Sequence, residues 1–165
     1  MNHYYNNWMH LFQMHPKYIT ILNGINKILT AIAFCLYPLL IGLMLFRADK
    51  QVIALVFVPA FCFAAVSVIR KLLHFPRPYD LYHFQPVIPR EKKGDSFPSR
   101  HVFSIFLIAT LWFGIFEPVG IFLFAAGIIL ALIRVFGGVH FPKDVLCGAA
   151  IGIICGILTL FSCTL

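Results

Sequence analysis

The chain has 165 residues, 61% of them hydrophobic and only 12% charged, with a net charge of +7. A soluble domain carries about a quarter charged residues, so a water-soluble globule is excluded, since its surface would be largely apolar. The basic residues lie beside long apolar runs, not in one solvated tail or on a soluble domain, which excludes a nucleic-acid partner and points to a lipid bilayer.

The N-terminal stretch, MNHYYNNWMHLFQMHPKYIT, mixes Tyr4, Tyr5, Trp8 and Phe12 with Asn and His. It lacks the basic start and unbroken apolar run of a signal peptide, and residues 1–24 read as a helical segment at the membrane–water boundary. His3, His10 and His15 fit that placement. A bilayer core needs about 20 apolar residues per crossing. Five stretches qualify: Ile25–Phe46, Val52–Ile69, His101–Phe116, Val119–Val135 and Asp144–Leu165. Open strands cannot cross lipid with unpaired backbone groups, and barrel-type alternation is missing, so these are helices. The expected fold is all-α, a polytopic membrane bundle of about five transmembrane helices plus an N-terminal interfacial helix, in one domain over residues 1–165. Cys35, Cys62, Cys147, Cys155 and Cys163 all fall in apolar spans without a CxxC pair and read as small buried side chains. Gly148, Gly152 and Gly156 form a stripe for close helix approach, within the chain or between copies.

The short connections RADK (47–50) and EP (117–118) put two turns on one membrane face. The N-terminal segment and residues 70–100 and 134–143 then gather on the other. Of thirteen Lys and Arg, only Arg47 and Lys50 belong to the turn face. Counted as topology signals, the rest make the crowded face cytoplasmic; basic residues that serve an anionic ligand are not such signals. The 70–100 connection holds Pro76, Pro78, Pro86, Pro89 and Pro98 among aromatic residues, and reads as an ordered cover over a site.

Three motifs lie on that face. In RKLLHFPRPYD, Arg70, Lys71 and Arg77 flank a turn fixed by Pro76 and Pro78. Arg forks and Lys point charges suit phosphate oxygens, although basic residues also commonly cap membrane helices. In FPSRHVFSIF, Ser99 is placed as an N-cap, and the free N–H groups of that first turn, with Arg100 and His101 beside them, suit an anion. In RVFGGVHFPKD, Gly137 and Gly138 break one helix and Pro142 opens the next. His140 and Asp144, four apart, share a helix face. A carboxylate on one imidazole nitrogen fixes the tautomer and leaves the other free to attack, with Arg134 close enough to hold the anion. Two histidines allow one neutral nucleophile and one acid for the leaving group.

In this order the motifs resemble those of the phosphatidic acid phosphatase type 2 superfamily of membrane lipid phosphatases: Lys-x6-Arg-Pro, Pro-Ser-Gly-His and Ser-Arg-x5-His-x3-Asp. The chain reads KLLHFPRP, PSRH and RVFGGVHFPKD. The resemblance implies hydrolysis through a phosphohistidine at His140, oriented by Asp144, with His101 protonating the departing oxygen. Arg70 or Lys71, Arg77, Ser99, Arg100 and Arg134 would bind the substrate phosphate, with no metal and no cofactor. It implies a membrane lipid phosphate as substrate: phosphatidate, phosphatidylglycerol phosphate, or a polyprenyl diphosphate such as undecaprenyl diphosphate. It also implies a multi-pass cell-membrane protein with its active site on the extracytoplasmic face; the oligomeric state stays open. The chain departs from the pattern in three places. Arg70 holds the family's Lys register while Lys71 lies one position too close to Arg77, Arg100 replaces Gly, and Ile133 replaces Ser. The basic residues alone would equally serve a non-enzymatic protein that binds or conducts anions; the two histidines and Asp144 are what such a protein does not need.

Overall fold

The computed structural model describes residues 2–47, 51–89 and 94–164. Lys50, Arg90, Glu91, Lys92 and Lys93, and the side chains of His3 and His10, lie outside the described residues. Those described form seven helices and no strand: α1 (Asn2–Met14), α2 (Pro16–Phe46), α3 (Val52–Leu73), α4 (Pro78–Tyr82), α5 (Arg100–Ile115), α6 (Glu117–Phe136) and α7 (Pro142–Thr164).

Pro16 occupies the first turn of α2, where its missing N–H costs nothing. The helix that carries the first expected span, Ile25–Phe46, therefore begins at Pro16, and the expected boundary segment divides at His15. At 31 residues and 1.5 Å per residue, α2 is about 46 Å long, well beyond the ~30 Å hydrocarbon core. Its first turns reach the cover loop, where Asn23 Nδ2 donates to the Val87 carbonyl at 3.0 Å. The separate α1 buries Tyr5 and Met9 and sets Trp8 against Phe136 at 5.2 Å between ring centroids.

Helices α2, α3, α6 and α7 are long and apolar enough to cross a membrane. The fifth expected span, α5, has 16 residues, about 24 Å at the helical rise. It packs most extensively on α6 and α7 and also meets α2 and α3, and ten of its residues are buried. A helix apolar on every side belongs in such a central position. The outer faces of its neighbours expose Phe34, Phe57, Phe61 and Leu158, side chains that lipid solvates.

The α7 glycine stripe packs inside the chain, against α5. A Cβ on Gly148 would stand 2.7 Å from the Ser99 carbonyl oxygen, and one on Gly152 2.5 Å from that of Phe103. A Cβ on Gly156 would meet Thr110 at 2.6 Å. Small residues thus let the two backbones touch, and the stripe draws the first turn of α7 onto the first turn of α5. Ser99 N–H donates to the Asp144 carbonyl at 2.9 Å.

The cover loop is ordered around α4. Asp80 Oδ2 accepts from the backbone N–H groups of Arg77 at 3.2 Å and Gly94 at 2.9 Å. Val87 N–H donates to Gly137 O at 3.2 Å, and buried Ile88 packs with Ile133 and Val139. The loop is therefore fastened to the α6–α7 turn.

Candidate active site

His140 stands in the turn between α6 and α7. Gly138 takes a positive φ of 73°, and a Cβ there would meet Phe84 at 2.6 Å, so glycine serves both conformation and packing. The turn is closed by His140 N–H donating to Arg134 O at 3.2 Å. Pro142 then starts α7, and Asp144 Oδ2 accepts from Phe141 N–H at 2.9 Å. His140 Nδ1 consequently lies 3.6 Å from Asp144 Oδ2, with both residues essentially sealed from solvent.

Three arginines are buried around this pair. Arg134 and Arg77 are close enough to act on the His140 charge. Arg77 also donates through Nε to Gly94 O at 2.8 Å and Nη1 to Val139 O at 3.4 Å. Arg70, at the end of α3, is buried and donates to the carbonyls of Asp95 and Pro98. Lys71, one residue on, is exposed. The side chain in the family's Lys register is thus the one that turns inward. Ser99 precedes α5 in extended conformation without a side-chain capping bond; its hydroxyl is buried and has no hydrogen-bond partner among the described residues. A buried polar group left so is costly, and the position beside Asp144 suits a ligand that accepts or donates there.

Burial pulls the His140 imidazole down to about 4, and the charges of Arg77 and Arg134 add to this against the opposing pull of Asp144. At neutral pH the ring is therefore uncharged, as a nucleophile must be. Tyr5 of α1 donates its hydroxyl to the His140 carbonyl at 3.4 Å, and burial with the nearby Asp144 charge pushes that phenol up to about 12.

Arg100 and His101 open the first turn of α5. Both line a lateral cavity of about 480 Å³ between α2, α3 and α5. Arg100 is exposed and lies over the Phe63 ring at 5.7 Å, while His101 is half-buried. The rest of the lining is mainly apolar, including Ala33, Val56, Ala60 and Leu107.

Ser96 was not singled out by the sequence reading. Its hydroxyl donates to Asp144 Oδ2 at 2.5 Å and lies 3.5 Å from His140 Nδ1. Its only signal in the chain is its place three residues before Ser99; its loop has no helical or strand period to give it a side. Tyr5 was likewise placed at the interface for its aromatic character.

Comparison with known proteins decides the family. The sequence profile described as the PAP2 superfamily matches residues 51–162. The chain belongs to the PAP2 superfamily. Among solved structures it is similar to Aquifex aeolicus LpxE, with 31% identity over 93% of this chain and 94% of that one, at a TM-score of 0.71. It also shares the fold of a transmembrane PAP2-type phosphatidylglycerolphosphate phosphatase from Bacillus subtilis, with 17% identity, coverage of 96% and 91%, and a TM-score of 0.60. No curated protein matches significantly. As a PAP2 protein the chain is a multi-pass membrane enzyme of the lipid phosphatase type, a phosphoric ester hydrolase. Its departures from the PAP2 pattern have places in the structure. Arg70 is the inward residue, Arg100 turns to the lateral cavity, and Ile133 packs under the loop against Ile88 and Val139.

Proposed function

We propose that this chain hydrolyses a lipid phosphate by way of a phosphohistidine at His140. The observation that carries the reading is a buried, uncharged His140 backed by Asp144 and flanked by Arg77 and Arg134. His140 Nε2, the nitrogen turned away from Asp144, forms a bond to phosphorus as the bond from phosphorus to the lipid oxygen breaks. That oxygen leaves with the electron pair and takes a proton from His101. Water then attacks the phosphohistidine and releases inorganic phosphate. Arg77, Arg134, the Ser99 hydroxyl and the first N–H groups of α5 neutralise the phosphoryl oxygens; phosphoryl transfer depends chiefly on such positioning and charge. Arg70 supports this cradle through the 95–98 carbonyls. No metal or cofactor has a part in the scheme.

The lateral cavity supports a lipid as substrate. Its volume is that of an ordinary small-molecule site, its lining is apolar, and His101 and Arg100 stand on its wall. A tail lying there brings the ester oxygen to His101 and headgroup charge to Arg100. The candidate substrates are phosphatidate, phosphatidylglycerol phosphate and undecaprenyl diphosphate, met at the extracytoplasmic face. The test is phosphate release in detergent micelles with excess chelator, wild type against His140→Ala, on each of the three lipids. Release by wild type alone is expected, and the rate ranking identifies the substrate. Release that needs added metal, or that survives His140→Ala, overturns the reading.

A further inference from the structure

His140 Nδ1 lies 3.6 Å from Asp144 Oδ2, an ion-pair distance, and the Ser96 hydroxyl of the cover loop reaches both groups, at 3.5 Å from the same nitrogen and 2.5 Å from the same oxygen. We propose that Ser96 is a positioning residue whose hydroxyl bridges Asp144 and His140, fixing the imidazole tautomer that leaves Nε2 free to attack.

Proton counting gives the direction. An ionised carboxylate only accepts, and a serine hydroxyl has one hydrogen to give. That hydrogen goes to Asp144 Oδ2, at 2.5 Å. The Ser96 oxygen therefore faces His140 Nδ1, 3.5 Å away, as an acceptor, and Nδ1 carries the ring proton. Nε2 keeps its lone pair. On the phosphatase reading, the positive charge that appears on the ring during attack sits on Nδ1–H, where the bridge tightens to receive it.

Ser96 is held from both sides of its own backbone. Its N–H donates to Phe75 O at 3.0 Å, and Arg70 Nη1 lies 3.5 Å from its carbonyl while also donating to the carbonyls of Asp95 and Pro98. The residue is fully buried. Arg70 thus serves the chemistry at one remove, by anchoring the loop that presents the hydroxyl. The other groups facing His140 are Arg77 from the loop, Arg134 from α6 and Tyr5 from α1, and a Ser96 substitution leaves all three in place.

The test compares Ser96→Ala and Ser96→Thr with wild type on the preferred lipid. Ser96→Ala is expected to lower kcat roughly 10–100-fold, the size of loss known for the outer hydrogen-bond partner of a metal-bound histidine, with KM nearly unchanged. Without the donated hydrogen bond the Asp144 carboxylate is free to draw the imidazolium more strongly, so the acidic limb of kcat/KM moves to higher pH. Ser96→Thr keeps the hydroxyl and restores both. A Ser96→Ala enzyme with wild-type kcat and pH profile overturns the proposal, as does a loss confined to KM or an unmoved acidic limb. The ¹⁵N resonances of labelled histidine, assigned with His140→Gln, read the tautomer without substrate. Wild type is expected to show Nδ1 protonated and Ser96→Ala a shifted tautomer mixture; identical spectra overturn the bridge. If wild type releases no phosphate from any lipid, the phosphatase reading fails, and these spectra still decide the bridge by themselves.

Discussion

His140 is uncharged at neutral pH because it is buried between arginines, and this sets how the enzyme responds to acid. Its pKa is lowered to about 4, so the uncharged form, the one the proposed attack needs, persists below the pH at which an ordinary histidine protonates. The acidic limb of kcat/KM is expected near pH 4, with activity lost as pH falls through that value; a limb near 6.5 contradicts the burial argument. In the proposed mechanism His101 has the opposite duty, giving a proton to the leaving oxygen. His101→Ala is expected to lower kcat about 10²–10⁴-fold on a lipid phosphate, the usual range for a general acid. The loss should be far smaller on an aryl phosphate, whose leaving group needs no proton; equal losses on both would remove His101 from that role. The sequence named both histidines and Asp144 because close spacing and order along the chain survive folding as local facts, although His140 lies in the turn before α7 and not on the helix face expected for it. It left Arg70 and Lys71 undecided, because they are neighbours in one helical turn, and only the packing of the 94–99 loop tells inside from outside.

At the scale of helices, the site exists because α7 can lie directly on α5. The Gly148–Gly152–Gly156 stripe puts the Asp144 carbonyl on the Ser99 N–H, and so sets the turn of His140, the proposed nucleophile, over the first turn of α5. Gly152→Ala places a Cβ within 2.5 Å of a backbone oxygen and is expected to destabilise the protein by about 1–3 kcal/mol, as overpacking does. Gly42 has open space at its Cβ position, so Gly42→Ala should match or slightly exceed wild type. Thermal unfolding in detergent distinguishes them; equal stability of the two variants contradicts the packing account. Periodic apolar runs made the long helices legible. The start of α2 was not legible because Asn23, Asn26 and Lys27 break the apolar run without breaking the helix, and nothing local shows that the helix runs on to meet a loop. The shortness of α5 was visible, but its central position comes from packing on four partners.

For the whole molecule, the crowding of basic residues on one face has two causes. Arg70, Arg77 and Arg134 are buried within 5% of full enclosure and on the proposed mechanism serve the site, so they carry no weight as topology signals, whereas Lys17, Lys71 and Lys143 are exposed. On the proposed orientation, a cysteine introduced at Lys92 reacts with an impermeant thiol reagent in intact cells, while protection until lysis places the site in the cytoplasm. The lateral cavity makes a separate demand. Ala60→Phe fills its wall and should slow a long-tailed lipid phosphate several-fold more than a short-chain soluble analogue; equal slowing would detach the cavity from the tail. The central claim is that phosphate passes through His140, and the most direct measurement is to trap it there. Brief exposure of wild type to a lipid labelled with ³²P in its phosphate, quenched in alkali, should leave label on the protein that is released by acid and maps to the peptide containing His140. Label should be missing in His140→Ala. Rapid turnover with no trapped label, or label that persists in His140→Ala, would contradict the account.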